Sequence, residues 1–505
     1  MIHALSSDPA GAPRSRSHSA APATAVAPNP AQPFCCLLLT PDGTGFRNFV
    51  HSRFIECFAE RDRLVVWHAL PEAMMGSRRA TLGSRTEYRR LPPYRETVTE
   101  RVLRQAKVYG QLYWRRESGT DLLLRNLQHT NRLVNAVIGG AARAVGRLSG
   151  SSGSALARLD RWHERLCGRP ARLRLFEDAL QSIRPDIVFC AHQRASRTIP
   201  IMLAARRLGI PTATFIYSWD NLPKGRMAVH ADHFLVWGEH MRTELLAYYP
   251  ELSPARVHVV GTPQFEPYFD RSLIEPRSRF LARLGFDAAR RVVCFSGCDV
   301  TTSPHDPVYL DDVASAIGAL PTATRPQLVF RRCPADESDR YRKVLDRHPD
   351  IAVSEPLWLS AVGAGWTGVA PDVEDTALLA NLVYHCDVVI NFGSTMAMDF
   401  AVLDKPGIFL AYEPVPVVRD AVWTAREIYE LPHFQSVHEL QPVHWVRSRG
   451  DLGAVVVQAL AHPGDTQAAR ARWIERHVRL PLDQASRRCY AALRSVAATN
   501  VAACT

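Results

Sequence analysis

The run Asp387-Val388-Val389-Ile390-Asn391-Phe392-Gly393-Ser394-Thr395-Met396-Ala397-Met398-Asp399 decides the fold. Residues 387–391 read as a buried strand, and the Gly-Ser-Thr turn after them opens a helix over 395–403. The first N–H groups of a helix have no partner within it, and the helix dipole adds partial positive charge there, so such a turn can hold a diphosphate. The Ser394 and Thr395 hydroxyls add donors beside Gly393. Asp399 lies one turn beyond Thr395 on the same face, within reach of a ribose or sugar hydroxyl. The plainer alternative is that Ser394 or Thr395 caps the helix while Asp399 faces water.

The same strand–turn–helix rhythm runs outward from this point. Upstream come strands at 292–295, 327–330 and 351–353, with helices at 311–320, 338–347 and 376–384 between or after them; downstream a strand at 407–410 follows Lys405-Pro406. Earlier still, strands at 34–39, 64–67, 186–190, 212–217, 234–237 and 257–260 alternate with helical stretches. Strands alternating with helices at this spacing argue for parallel sheets covered on both faces. Residues 267–291 hold charges and no strand, so the α/β chain divides into two Rossmann-like domains, 34–287 and 288–465, facing a cleft. Helices over 466–505 have the length to cross back to the first domain. Residues 1–33, rich in Ala, Pro and Ser, read as a disordered tail. Residues from about 95 to 160 read as a helical insertion loaded with Arg101, Arg104, Arg115, Arg116, Arg125, Arg132, Arg143 and Arg147.

Bulk properties narrow the partners. A chain of 505 residues exceeds one compact core. Its formal charge of +11 favours anionic partners. The 11 cysteines form no paired Cys-x-x-Cys motif, which suits a reducing compartment and gives no metal site. No secretory signal and no stretch of about 18 uncharged apolar residues is present, so the expected location is cytoplasmic. The arginine-rich insertion is either a solvated helix pair or a basic lip that touches anionic lipid at the inner membrane face. Basic and aromatic residues do not alternate as a base-stacking platform would need, which argues against nucleic acid.

Strands deliver side chains into the cleft at their carboxyl ends, and the candidate residues lie there. In the second domain these are Ser296 and Gly297 after strand 292–295, and Arg331 and Arg332 after 327–330, whose guanidinium groups suit a phosphate. In the first domain, Asp42 lies in the glycine loop with Gly43 and Gly45, and His192 follows strand 186–190. They are rival candidates for a general base. Asp220 and Asn221 form a third cluster, and Lys224 and Arg226 lie in a Pro-Lys-Gly-Arg loop that either reaches a diphosphate from the opposite wall or is a solvated basic loop.

The Gly393-Ser394-Thr395 turn, Asp399 and the Lys405-Pro406 pair resemble the donor site of bacterial GT-B glycosyltransferases. The particular likeness is to the group of CDP-glycerol glycerophosphotransferases and envelope polysaccharide enzymes. Ser218-Trp219-Asp220-Asn221-Leu222 and Val236-Trp237-Gly238-Glu239 add to it. The resemblance implies transfer of a sugar from a nucleotide-diphosphate donor to a hydroxyl of a glycan or lipid-linked acceptor, with neither metal nor cofactor. The related phosphotransferases carry Arg-Pro-His-Pro where this chain has Arg331-Arg332-Cys333-Pro334, a departure that weighs against glycerophosphate transfer. Glycerophosphate transfer, a nucleotide-sugar 2-epimerase and a non-catalytic scaffold remain the alternatives.

Overall fold

The computed structural model describes residues 32–70, 86–128, 133–360, 369–415 and 424–504. Nearly all of the expected tail, and Arg132, lie outside the described residues. The first sheet contains β1 (Cys35–Thr40), β2 (Arg63–His68), β3 (Thr86–Arg90), β4 (Ile187–Cys190), β5 (Thr212–Phe215), β6 (His233–Val236) and β7 (Val257–Val259) in the order β3-β2-β1-β4-β5-β6-β7. Every pairing in it is parallel. The second sheet contains β8 (Val292–Ser296), β9 (Gln327–Arg331), β10 (Ala352–Ser354), β13 (Val388–Asn391), β14 (Gly407–Leu410) and β15 (His444–Val446). Its order is β10-β9-β8-β13-β14-β15, again all parallel. Between them in sequence, β11 (Trp358–Ser360) and β12 (Val369–Pro371) make a small antiparallel pair.

Strand order reverses between β1 and β4 in one sheet and between β8 and β13 in the other. At such a switch the connecting helices leave on opposite faces, and a crevice opens beyond the strand ends. Asp42 follows β1, His192 follows β4, Ser296 ends β8, and the 393–395 turn follows β13. Both crevices therefore carry residues singled out from sequence.

Some elements differ from the sequence reading. The edge strand β3, with Arg89 and Arg90 exposed, was not anticipated because a short, charged edge strand carries no apolar signature. The helical insertion runs past residue 160: Val98–Trp114, Thr120–Gln128, Leu133–Ser149, Gly153–Cys167 and Pro170–Ile183 follow one another up to β4. Pro170 starts the last helix instead of stopping the array, since its missing N–H costs nothing at a first turn. The closing helix Ala485–Cys504 lies on the first domain, where Tyr490 donates to Asp62 at 2.6 Å and Ser486 N–H to Glu266 at 2.7 Å.

The insertion is held by a buried knot of charge. Asp160 accepts from Arg226 Nε at 2.7 Å and pairs with Lys107 at 3.2 Å, all three side chains being almost wholly enclosed. Burial would raise the Asp160 carboxyl, but Lys107 and Arg226 reverse this and hold it far below the usual range. Arg226 also covers the Tyr249 ring at 4.3 Å and donates to the Tyr248 carbonyl. It is thus a core residue that ties the insertion to the β5–β6 connection, where the sequence admitted a solvated basic loop. Arg226→Ala leaves Asp160 buried with one cation fewer and should cost about 3–5 kcal/mol, seen as a lower midpoint in chemical denaturation.

Candidate active site

The two rival bases form one unit. Asp42 caps the helix Gly43–Phe49, accepting from Gly45 N–H at 2.8 Å, and its other carboxylate oxygen accepts a hydrogen bond from His192 Nδ1–H. Burial pushes the Asp42 carboxyl up, yet His192 and the capping amides outweigh it and hold the group below its ordinary value. The Tyr217 ring packs on the imidazole with centroids 4.0 Å apart. With Nδ1 bound to Asp42, His192 Nε2 is left to accept a proton. This is how a carboxylate fixes an imidazole as a general base.

The next loop along the sheet joins the two domains. Trp219, after β5, is 4% exposed and sits edge-on among His433 (5.0 Å), His477 (5.4 Å), Phe434 (5.8 Å) and Trp473 (5.8 Å). Phe434 in turn seals Gly393: a side-chain carbon there would come within 2.7 Å of its ring, and the φ of +69° already favours glycine. The 393–396 turn is half-buried, unlike the enclosed strand before it. Its position one ring away from Trp219 sets it at the interdomain junction.

A second close approach lies at Gly43. A carbon added there would fall 2.1 Å from the Val369 carbonyl oxygen, so the β12 backbone lies directly against the helix that Asp42 caps. Gly43 is the residue that permits this contact, and Gly45 is equally buried beside Ala191. Further along that helix, Arg47 lines a small interdomain hollow with His51, Tyr268, Thr376 and Asp399. Asp399 accepts from Tyr268 Oη at 2.7 Å, and burial raises its carboxyl to about 6 despite Tyr268 and Arg47.

Several expected contacts have other occupations. Arg331 is buried, donating to Asp375 at 2.7 Å and to the Glu355 carbonyl at 3.1 Å, while Trp358 Nε1 holds the other Asp375 oxygen. Arg332 pairs with Glu355 at 2.9 Å. It borders an open cavity of about 540 Å³ with Asp336, Asp339, Asp346 and Glu355, a lining too acidic for a diphosphate. Lys224 pairs with Asp220, which also accepts from Ser218 at 2.6 Å and Asn221 at 3.1 Å. Burial opposes that charge, but the Lys224 ammonium and the Ser218 hydroxyl outweigh it and hold the Asp220 carboxyl well below its usual range. Of the turn amides, Ser394 N–H donates to Asn391 Oδ1 at 2.8 Å and Met396 N–H to Ser394 Oγ at 3.3 Å. Gly297 N–H donates to the Arg331 carbonyl at 2.9 Å, tying Ser296 and Gly297 to β9. Sequence alone missed Tyr217, Arg47, Tyr268 and His433. Tyr217 follows β5 directly, but the others come from a helix and from segments outside the two sheets.

Among the described residues, Asp160, His230 and Glu251 group their oxygen and nitrogen atoms closely enough to hold a metal ion. Lys107 and Arg226 already neutralise Asp160, so the set does not fit a cation.

Two parallel sheets whose switch points face one another define the GT-B architecture, and a solved structure shares this fold. A UDP-GlcNAc 2-epimerase from Methanocaldococcus jannaschii is 11% identical, covering 91% of this chain and 99% of its own, with a TM-score of 0.50. A glycosyltransferase from Rickettsia africae is 9% identical, covering 92% and 99%, with a TM-score of 0.49. No family model matches the sequence, and no curated protein matches it.

The raised carboxyl of Asp399 has a consequence for stability. Its value in the fold exceeds the unfolded one near 4, so its contribution is present below about pH 4 and is lost as pH climbs through about 6. Asp306, also raised to about 6 by burial, acts in the same window. Asp399→Asn should remove about 2–3 kcal/mol of the fall in stability between pH 4 and pH 6.5, measured against the parent chain by denaturation at each pH.

Proposed function

We propose that the chain transfers a glycosyl group from a nucleotide-diphosphate donor to a hydroxyl acceptor, with His192 as general base. The observation that carries this reading is the Asp42–His192 pair at the β1/β4 switch point, across the junction from the 393–395 turn. His192 Nε2 takes the acceptor proton as the acceptor oxygen attacks the anomeric carbon. The bond from that carbon to the diphosphate breaks, and the diphosphate leaves with the electron pair. Asp42 stabilises the imidazolium that forms. The Ser394 and Thr395 hydroxyls and the positive end of their helix would face the departing diphosphate. Asp399, in the hollow with Arg47, is the group for a ribose hydroxyl. The acceptor in this reading is a glycan or lipid-linked hydroxyl of the bacterial envelope, the reaction takes place on the cytoplasmic side, and no cofactor enters.

A second reading is epimerisation of the nucleotide sugar. The activity named for the Methanocaldococcus jannaschii protein of the same fold supports it. The dyad would then remove a ring proton instead of a hydroxyl proton. Turnover of a labelled nucleotide sugar without acceptor distinguishes the two: an epimerase yields a new isomer alone, and a transferase needs the acceptor.

Asp42→Asn and His192→Ala should each lower kcat by about 10²- to 10⁴-fold, while nucleotide affinity by calorimetry stays near that of the parent. Undiminished turnover in His192→Ala would remove the proposed base.

A further inference from the structure

We propose that the helical insertion rests on an anionic lipid bilayer through the outer face of the helix Leu133–Ser149. The inner face of this helix is already used. Ile138, Ala142 and Gly146 are buried in the insertion, and Gly146 lies so close to the helix Val98–Trp114 that an added carbon would sit 2.5 Å from Tyr109 Cβ. The outer face is apolar as well. Val137 is 68% exposed and Leu148 is 81% exposed, with Ala141 and Ala144 exposed between them. The spacing 137, 141, 144, 148 is a single stripe along a helix, about 17 Å long. A helix apolar on two opposite faces has something to cover on each.

Charge selects what covers the second. The charged residues between 135 and 149 are Arg143 and Arg147, with no acid among them. On the following helix, Gly153–Cys167, the exposed side presents Arg158, Arg161, Trp162 and Arg165. Its acids, Asp160 and Glu164, are spent on Lys107, Arg226 and Arg206. A face kept only for solubility interleaves both signs, whereas this one has turned every acid away. Arg147 itself lies over the Tyr113 ring at 5.5 Å, so the outward charge comes from Arg158, Arg161 and Arg165. An exposed apolar stripe, with those guanidinium groups and a tryptophan on the following helix, is the chemistry of a surface that lies in the headgroup layer. A second copy fits poorly, because a two-fold contact would bring these arginines against their equivalents. The stripe would lie in the plane of the bilayer, and among the described residues no helix is long and apolar enough to cross one.

The test is flotation of the full chain with vesicles of phosphatidylglycerol and phosphatidylcholine, against phosphatidylcholine alone. The parent should float with the anionic vesicles only and lose them at high salt. The double variant Val137→Asp, Leu148→Asp should bind at least about tenfold more weakly, and Arg161→Glu about fivefold or more. Thermal melts should match the parent, because all three side chains are exposed. Three results would overturn the proposal. The parent could fail to float with anionic vesicles, or the double variant could float as well as the parent. Sedimentation could also show a concentration-dependent dimer that the double variant abolishes, which would assign the face to a second copy. None of these outcomes bears on sugar transfer to a soluble acceptor, so this proposal and the catalytic one fail separately.

Discussion

The indole of Trp219 holds the two halves of the molecule in register. It projects from the carboxyl edge of the first sheet into a box of rings drawn from residues 433–434 and 473–477. Aromatic side chains packed edge to face bury a large apolar area and fix the angle between their supports. The box has a polar side. His433 and His477 are both held neutral, at about 3, by burial and nearby cations, so no charge is trapped beside the indole. The same contact brings Phe434 onto Gly393, and so sets where the turn after β13 faces.

With that junction fixed, the parallel topology supplies the rest. Each sheet reverses its order once, and each reversal leaves a crevice at the strand ends. One crevice holds Asp42 and His192, locked together by a hydrogen bond and backed by Tyr217. The other holds a hydroxyl-bearing turn at the start of a helix. Gly43 lets β12 close over the loop between them, at a distance no side chain would tolerate. In the proposed reaction one wall removes a proton and the other receives a leaving group.

The charges of the chain divide by depth. Asp160, Arg226 and Lys107 form a paired knot inside, as do Arg331 and Asp375, because an unpaired ion there would be intolerable. On the outer helices of the insertion, Arg158, Arg161 and Arg165 are exposed. A positive surplus that is not needed to neutralise the core is available for an anionic partner.

The sequence by itself determined the α/β class, the positions of most strands and the loops that carry candidate chemistry. Runs such as 388–391 are short, apolar and β-branched, which favours a strand buried on both faces. It could also name Asp42 and His192, since both follow strands, but it ranked them as competitors. Only the tertiary structure made them partners, because strands 150 residues apart in sequence become neighbours across a switch point. For the same reason Arg331 reads as a phosphate ligand until Asp375 and Trp358 are seen around it. Strand periodicity reports which residues are buried near a crevice; which of them spend their charge on each other depends on contacts between distant segments, and those are set by packing.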